Sequence, residues 1–380
     1  MNRLIRSTFY ASVATATLLI GAGQSFAAEP GDFQATLRGV TIGLPLAALP
    51  PPGLYAGLEN FIGPNAVGKG QNSAAAGANG GNGLTVFGAA IIPSLLWVPG
   101  WNVMGADVGF AVVQPLYTIA GLQTNCTNIG VGCVGSAPIA FGAGAGAFFE
   151  NVHNTIWSST LSWNWKNGWF TSVGFDFQGP DGSQYNGTLN QDYWTFSPRF
   201  AVAYLSKQWH LQANFEYDIH TASAGHTGTY AAVANNLTNP PIPAPNGCVG
   251  FACPGVGYTT GNQLFIDWSA KYLVGKWQFG PVGYFKFQTT DDSPGSGWTC
   301  ASLAASGYGA AGLGCGRATD IALGAMAGID FGPAELEVVA TDSIYTRDDF
   351  SGLSIFTRLS FKLWGPDAPP AKSPLITKAK

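Results

Sequence analysis

Residues 209–220 read Trp-His-Leu-Gln-Ala-Asn-Phe-Glu-Tyr-Asp-Ile-His. Every odd position (Trp209, Leu211, Ala213, Phe215, Tyr217, Ile219) is apolar or aromatic. Every even position (His210, Gln212, Asn214, Glu216, Asp218, His220) is polar or ionisable. Successive side chains of a strand point to opposite faces, so this segment has one apolar face and one polar face along its whole length. An ordinary strand has only about 5–6 residues. The length here suits the roughly 9–11 tilted residues that cross a bilayer as β-structure.

The chain begins as an exported protein does. Arg3 and Arg6 precede an apolar run from Phe9 to Gly23, and Ser25-Phe26-Ala27 supplies the small residues of a cleavage site before Ala28. Residues 1–27 read as a signal peptide. Without them the chain keeps 15 basic against 21 acidic residues. That balance argues against a nucleic-acid partner. Charged residues are only 10% of the sequence, against about 25% in soluble domains. Aromatics reach 13% and there are 52 glycines. A lipid-facing barrel wants few outward charges, many aromatics and many turn residues.

Further alternating segments follow the same rule. They place strands at 53–63, 83–97, 102–120, 149–165, 169–178, 193–205, 209–221, 260–273, 277–291, 318–331, 334–346 and 352–364. The connections alternate between short and long. Val98-Pro99-Gly100, Lys166-Asn167-Gly168, Ser206-Lys207-Gln208, Val274-Gly275-Lys276 and Gly332-Pro333 are short. Asn167-Gly168 is a strong signal for a type I′ hairpin. The long connections lie near 64–82, 121–145, 179–192, 222–259 and 292–317; only the one near 347–351 on that side is short. This asymmetry is that of an outer-membrane barrel with periplasmic turns and extracellular loops. The fold expected is all-β, a transmembrane antiparallel barrel of about 12 strands over 53–364. Further strands in 28–52 and 121–145 would raise the number to fourteen. Residues 28–52 read as an N-terminal segment, periplasmic or inserted into the pore, and 365–380 as a periplasmic C-terminal tail.

Two patterns support this layout. The six cysteines fall in three long loops as Cys126 and Cys133, Cys248 and Cys253, and Cys300 and Cys315. In an exported chain they suggest local disulfides, although six cysteines allow 15 connectivities. Trp97, Trp101, Trp165, Trp169, Trp209, Trp277 and Trp364 flank one set of strand ends, where indole rings favour the headgroup level.

Alternation also nominates the lumen wall. The candidates are Arg199, His210, Gln212, Asn214, Glu216, Asp218, His220, Asp267, Lys271, Tyr284, Lys286 and Arg358. Asp176, Asp320, Asp330 and Lys362, with aromatic Phe265 and Phe356, are also expected to point inward. These residues read as a passage or as a charge network bracing the barrel. The His210–His220 row could be taken for metal ligands, but successive inward residues are spread along the strand and do not converge on one point. Gly142, Gly144 and Gly146 lack the spacing and following helix of a phosphate loop. No G-x-S-x-G nucleophile elbow is present. His153 and His210 are the places to look for a lipid-modifying Ser-His pair, but His210 is expected to face away from lipid. Neither enzymatic activity nor a cofactor or metal is expected.

Several segments together resemble a known family. They are Pro52-Gly53-Leu54-Tyr55, WVPGWNVMGADVG from Trp97 to Gly109, DYWTFSP from Asp192 to Pro198, Trp209 to His220, QLFIDW from Gln263 to Trp268, WQFGPVGY from Trp277 to Tyr284, and QTTDD from Gln288 to Asp292. Their order and spacing are similar to those of the SphA-like outer-membrane transporters, the family of the meta-pathway of phenol degradation. That resemblance implies a channel for passive uptake of small hydrophobic or aromatic compounds. Its partners would be the outer-membrane bilayer and apolar or aromatic solutes. A general diffusion porin and a structural or adhesive barrel are the alternatives. Oligomeric state is open.

Overall fold

The computed structural model describes residues 36–67, 84–124, 138–139, 151–182, 193–222, 259–293, 317–347 and 349–366. Twelve antiparallel strands close into a barrel. They are β1 Gly53–Val67, β2 Leu84–Val98, β3 in two pieces (Ala106–Val113 and Leu116–Thr124), β4 Ile156–Asn164, β5 Trp169–Gln178 and β6 Thr195–Leu205. After them come β7 Trp209–His220, β8 Gln263–Val274, β9 Trp277–Gln288, β10 Thr319–Asp330, β11 Ala334–Arg347 and β12 Phe350–Trp364. Neighbours in sequence are neighbours in the sheet, and β1 closes the ring by pairing β12 as well as β2, with Glu59 opposite both Arg358 and Ile92. Closure leaves no open edge, the condition for burying strand backbone in hydrocarbon. Residues 36–52 form no strand.

The described wall departs most from the expected pattern between residues 102 and 155. Instead of one strand over 102–120, β3 breaks between its pieces, and β4 is preceded by a separate Asn151–Val152 pair. Pro115 has no N–H to give the ladder. The Gln114 side chain bridges the break: its Nε2 donates to the His153 carbonyl at 2.6 Å, and Thr155 Oγ1 donates to its Oε1 at 2.8 Å. A short Pro138–Ile139 strand pairs Leu122–Gln123, inside a stretch read as loop.

Burial alternates along the strands. On β7 the six polar residues from His210 to His220 are all buried, while Trp209, Leu211 and Ile219 are exposed. The seven rim tryptophans are all exposed, at the short-turn ends of their strands. In the 166–168 turn Asn167 and Gly168 have φ of 52° and 87°, and Trp169 N–H donates to the Lys166 carbonyl at 3.1 Å, as a type I′ turn requires. A Cβ on Gly168 would lie 2.5 Å from the Leu205 carbonyl oxygen. Gly168→Ala is therefore expected to destabilise the barrel by roughly 1–3 kcal/mol. Urea unfolding in lipid vesicles measures this, and an unchanged midpoint would contradict it.

Candidate functional site

Residues 36–50 run through the barrel interior, and every one of them is buried. The segment is a series of tight turns: Val40 N–H donates to Leu37 O at 3.1 Å, Ile42 to Gly39 O at 3.2 Å, Leu44 to Thr41 O at 3.1 Å and Ala48 to Pro45 O at 2.8 Å. Gly39 and Gly43 make this path possible, with φ of 76° and 83°. A Cβ on Gly39 would also press on the Tyr284 ring at 3.0 Å. At the short-turn rim, the Tyr55 hydroxyl donates to the Pro51 carbonyl at 2.5 Å where the segment passes into β1.

The wall holds this segment by polar side chains. Arg358 donates to the carbonyls of Gly39, Val40 and Ile42, and its Nε bonds Glu59 at 2.7 Å. Asp267 accepts from both the backbone and the hydroxyl of Thr41, at 3.0 and 2.7 Å. Asn214 donates to the carbonyls of Thr41 and Leu44 at 3.0 and 3.1 Å. Thr36 donates to Glu216 at 3.0 Å, and Arg38 pairs with Asp320, which also accepts from the Tyr284 hydroxyl. Lower down, Ser172 and Ser162 donate to the carbonyls of Leu46 and Ala47. Apolar contacts complete the packing. Leu37, Val40 and Ile42 join Phe61, Tyr284, Met326 and Phe356, and Leu44 to Leu49 join Tyr55, Leu96, Phe170 and Ala201.

All twelve lumen candidates (Arg199, His210, Gln212, Asn214, Glu216, Asp218, His220, Asp267, Lys271, Tyr284, Lys286 and Arg358) are buried in the interior. Four of them make interior ion pairs. Arg199 meets Asp176 at 2.9 Å, Lys271 meets Glu337 at 2.7 Å, Lys286 meets Asp349 at 2.5 Å and Arg358 meets Glu59. The β7 row does not converge. His220 bonds Thr195, Asp218 accepts from Ser197, Glu216 from Thr36, Asn214 holds the inner segment, and Gln212 donates to Ser269. Phe265 and Phe356 are also inward.

Lys362 corrects the expectation. It has the inward parity but is exposed at the rim, where its Nζ donates to the Pro366 carbonyl at 2.9 Å. Alternation could also have found Glu59, in Tyr55-Gly57-Glu59-Phe61, and Glu337, which follows Glu335 by two. Arg38 and Asp349 carry no such signal, because they lie outside regular strands. The six cysteines, the signal peptide and nearly all of the tail lie outside the described residues.

The sequence matches the family of the MetA-pathway of phenol degradation over residues 68–359. The chain belongs to this family. Among solved structures, this phenol-degradation family member is similar to the COG4313 outer membrane channel from Pseudomonas putida F1, with a TM-score of 0.55 and 9% identity over 82% of this chain and 96% of that one. It also matches the β domain of the Bordetella autotransporter BrkA (TM-score 0.39, 10% identity, 82% of this chain and 99% of that one). A third match is the Ralstonia pickettii toluene transporter TbuX (TM-score 0.36, 10% identity, 93% and 97% coverage). Curated proteins give no sequence match. The family and the fold make this chain an outer-membrane β-barrel.

Proposed function

We propose that this family member is an outer-membrane channel for passive uptake of small hydrophobic or aromatic compounds. Residues 1–27 act as the signal peptide, 53–364 as the barrel with its short turns in the periplasm, and 365–380 as a periplasmic tail. Residues 28–52 act as a removable plug. The carrying observation is how residues 36–50 are held: they fill the interior without joining any strand ladder. Side-chain hydrogen bonds and apolar contacts hold them, so the segment can shift while the wall stays paired. The wall behind it offers both aromatic surface and polar groups, which suits solutes with an apolar body. No cofactor is needed, because a concentration gradient drives the flow.

The test is reconstitution of the full chain in proteoliposomes and planar bilayers. Flux of phenol and toluene above that of protein-free lipid, with low ion conductance, is the expected result. Correctly inserted protein with neither solute flux nor conductance would instead favour a structural or adhesive barrel. High unselective conductance would favour a general porin.

A further inference from the structure

The outward face of β1 carries Leu54, Ala56, Leu58, Asn60 and Ile62, while Tyr55, Glu59 and Phe61 between them are buried in the interior. Asn60 interrupts an otherwise apolar row. Among the described side chains it is the only asparagine or glutamine on the outward rows of the twelve strands; the others face the interior or lie at a rim.

The register gives its depth. Leu54 stands opposite Trp97 on β2 and Trp364 on β12, two of the rim tryptophans that mark the headgroup level. Asn60 lies six residues farther along β1. At roughly 3.3 Å per residue and a strand tilt of about 40°, that is about 15 Å from the rim. The hydrocarbon layer is about 30 Å thick, so the amide sits near its midplane. The register partners agree: Asn60, Ile91 and Thr357 are each the central residue of a strand of 15 residues.

The Asn60 amide has no hydrogen-bond partner among the described residues, Thr357 across the ladder included. A carboxamide has two N–H donors and an acceptor oxygen to satisfy. Acyl chains offer it nothing, water is absent from the hydrocarbon, and headgroups are about 15 Å away on either side. Only a polar group of another protein at the same depth can pair with it. Two-fold symmetry supplies that group without a second specialised residue, because a residue near the axis of an isologous contact meets its own copy. The amide is complementary to itself: the partly positive NH2 of one faces the partly negative oxygen of the other, and the pair exchanges two hydrogen bonds.

We infer that the outward face of β12, β1 and β2 is an interface for a second copy of this chain, with Asn60 meeting the partner's Asn60 near the two-fold axis. Thr357 sets a hydroxyl beside the amide, and the small Ala56 side chain lets the two walls approach. Leu58, Ile62, Leu95 and Leu359, all exposed, surround this polar centre. Acyl chains are as apolar as leucine, so apolar contact alone does not choose a face in lipid; the amide does. Each barrel keeps its own lumen, and the contact does not depend on what passes through it.

The test is the oligomeric state of the full chain in phosphatidylcholine vesicles, read by energy transfer between two separately labelled populations as protein is diluted with lipid. Heat-modifiable electrophoretic mobility confirms that each barrel is folded. Wild type should follow a monomer–dimer equilibrium. Asn60→Leu should raise its dissociation constant by roughly tenfold, and Asn60→Gln, which keeps the amide, should retain most of the association. Wild type that stays monomeric at every ratio overturns the inference, and so does a dimer that Asn60→Leu leaves equally tight. Oxidised Asn60→Cys should give a disulfide-linked dimer, whereas Ala213→Cys, outward on β7 six strands round the ring, should not. The reverse pattern would put the contact on the opposite wall and defeat the proposal. Cross-linking of Asn60→Cys only to a protein of different mass in the outer membrane would assign this face to another partner and defeat it equally.

Discussion

Deletion of residues 28–50 is expected to turn a nearly closed barrel into an open aqueous pore. Eight-stranded barrels are filled by their own side chains, whereas sixteen strands leave a water-filled channel. A twelve-stranded wall lies between these cases, and here the inner segment supplies much of the filling. Leu37, Val40, Ile42, Leu44 and Leu46 occupy the axis against the wall's apolar residues. Removing them uncovers Arg358, Asp267, Asn214, Glu216 and Asp320, each of which now bonds a group of the segment. These groups bond water readily, so the vacated lumen should wet. Single-channel conductance in planar bilayers should rise roughly tenfold or more. The ladders of the wall do not involve the segment, so the barrel should still insert. Conductance equal to that of the full chain would show that residues 28–50 do not obstruct the passage.

Arg358→Met should weaken both the barrel and its seal. The arginine is buried, bonds Glu59 on the adjoining strand and donates to three carbonyls of the inner segment. Methionine keeps much of the volume but leaves Glu59 as a buried charge without this partner. Breaking such a pair by removing one member costs about 3–5 kcal/mol. The double variant Glu59→Gln/Arg358→Met removes that charge and should recover much of the loss, since replacing both members of a buried pair is often near neutral. The carbonyls of Gly39, Val40 and Ile42 lose the arginine's hydrogen bonds in both variants, so both should conduct more than wild type. Urea unfolding in vesicles reads the stability and planar bilayers read the seal. A double variant as unstable as the single one would contradict the charge argument, and unchanged conductance in both would contradict Arg358 as an anchor.

Strand content was legible because the signal is local. Trp209–His220 can satisfy lipid on one side and a polar interior on the other only as a strand, and its observed bounds differ from the expected ones by one residue. Asn167-Gly168 was legible for the same reason, since the turn type depends on the φ values of those two residues. The break at Gln114-Pro115 was less so. Proline marks a missing donor, but only the nearby His153 carbonyl and Thr155 hydroxyl show how the gap is bridged. Lys362 shows the limit of parity: alternation gives the face, while position along the strand decides whether the residue is inside the lumen or at its rim.

By itself the sequence determined the class of fold, most of the membrane-crossing strands and the two-faced alternation along them, because each follows from a two-residue period and from turn chemistry spanning a few residues. Only the tertiary structure decided what the inward groups meet. Lys271 reaches Glu337 although three strand steps separate β8 from β11, and Arg38 reaches Asp320 from a segment with no alternation. Such pairs are set by closure of the ring and by the course of residues 36–50 through it. Residues 209–220 thus announced a polar face; the closed barrel made that face part of a shared interior, with Asn214 and Glu216 holding the inner segment and Asp218 set beside Gln263.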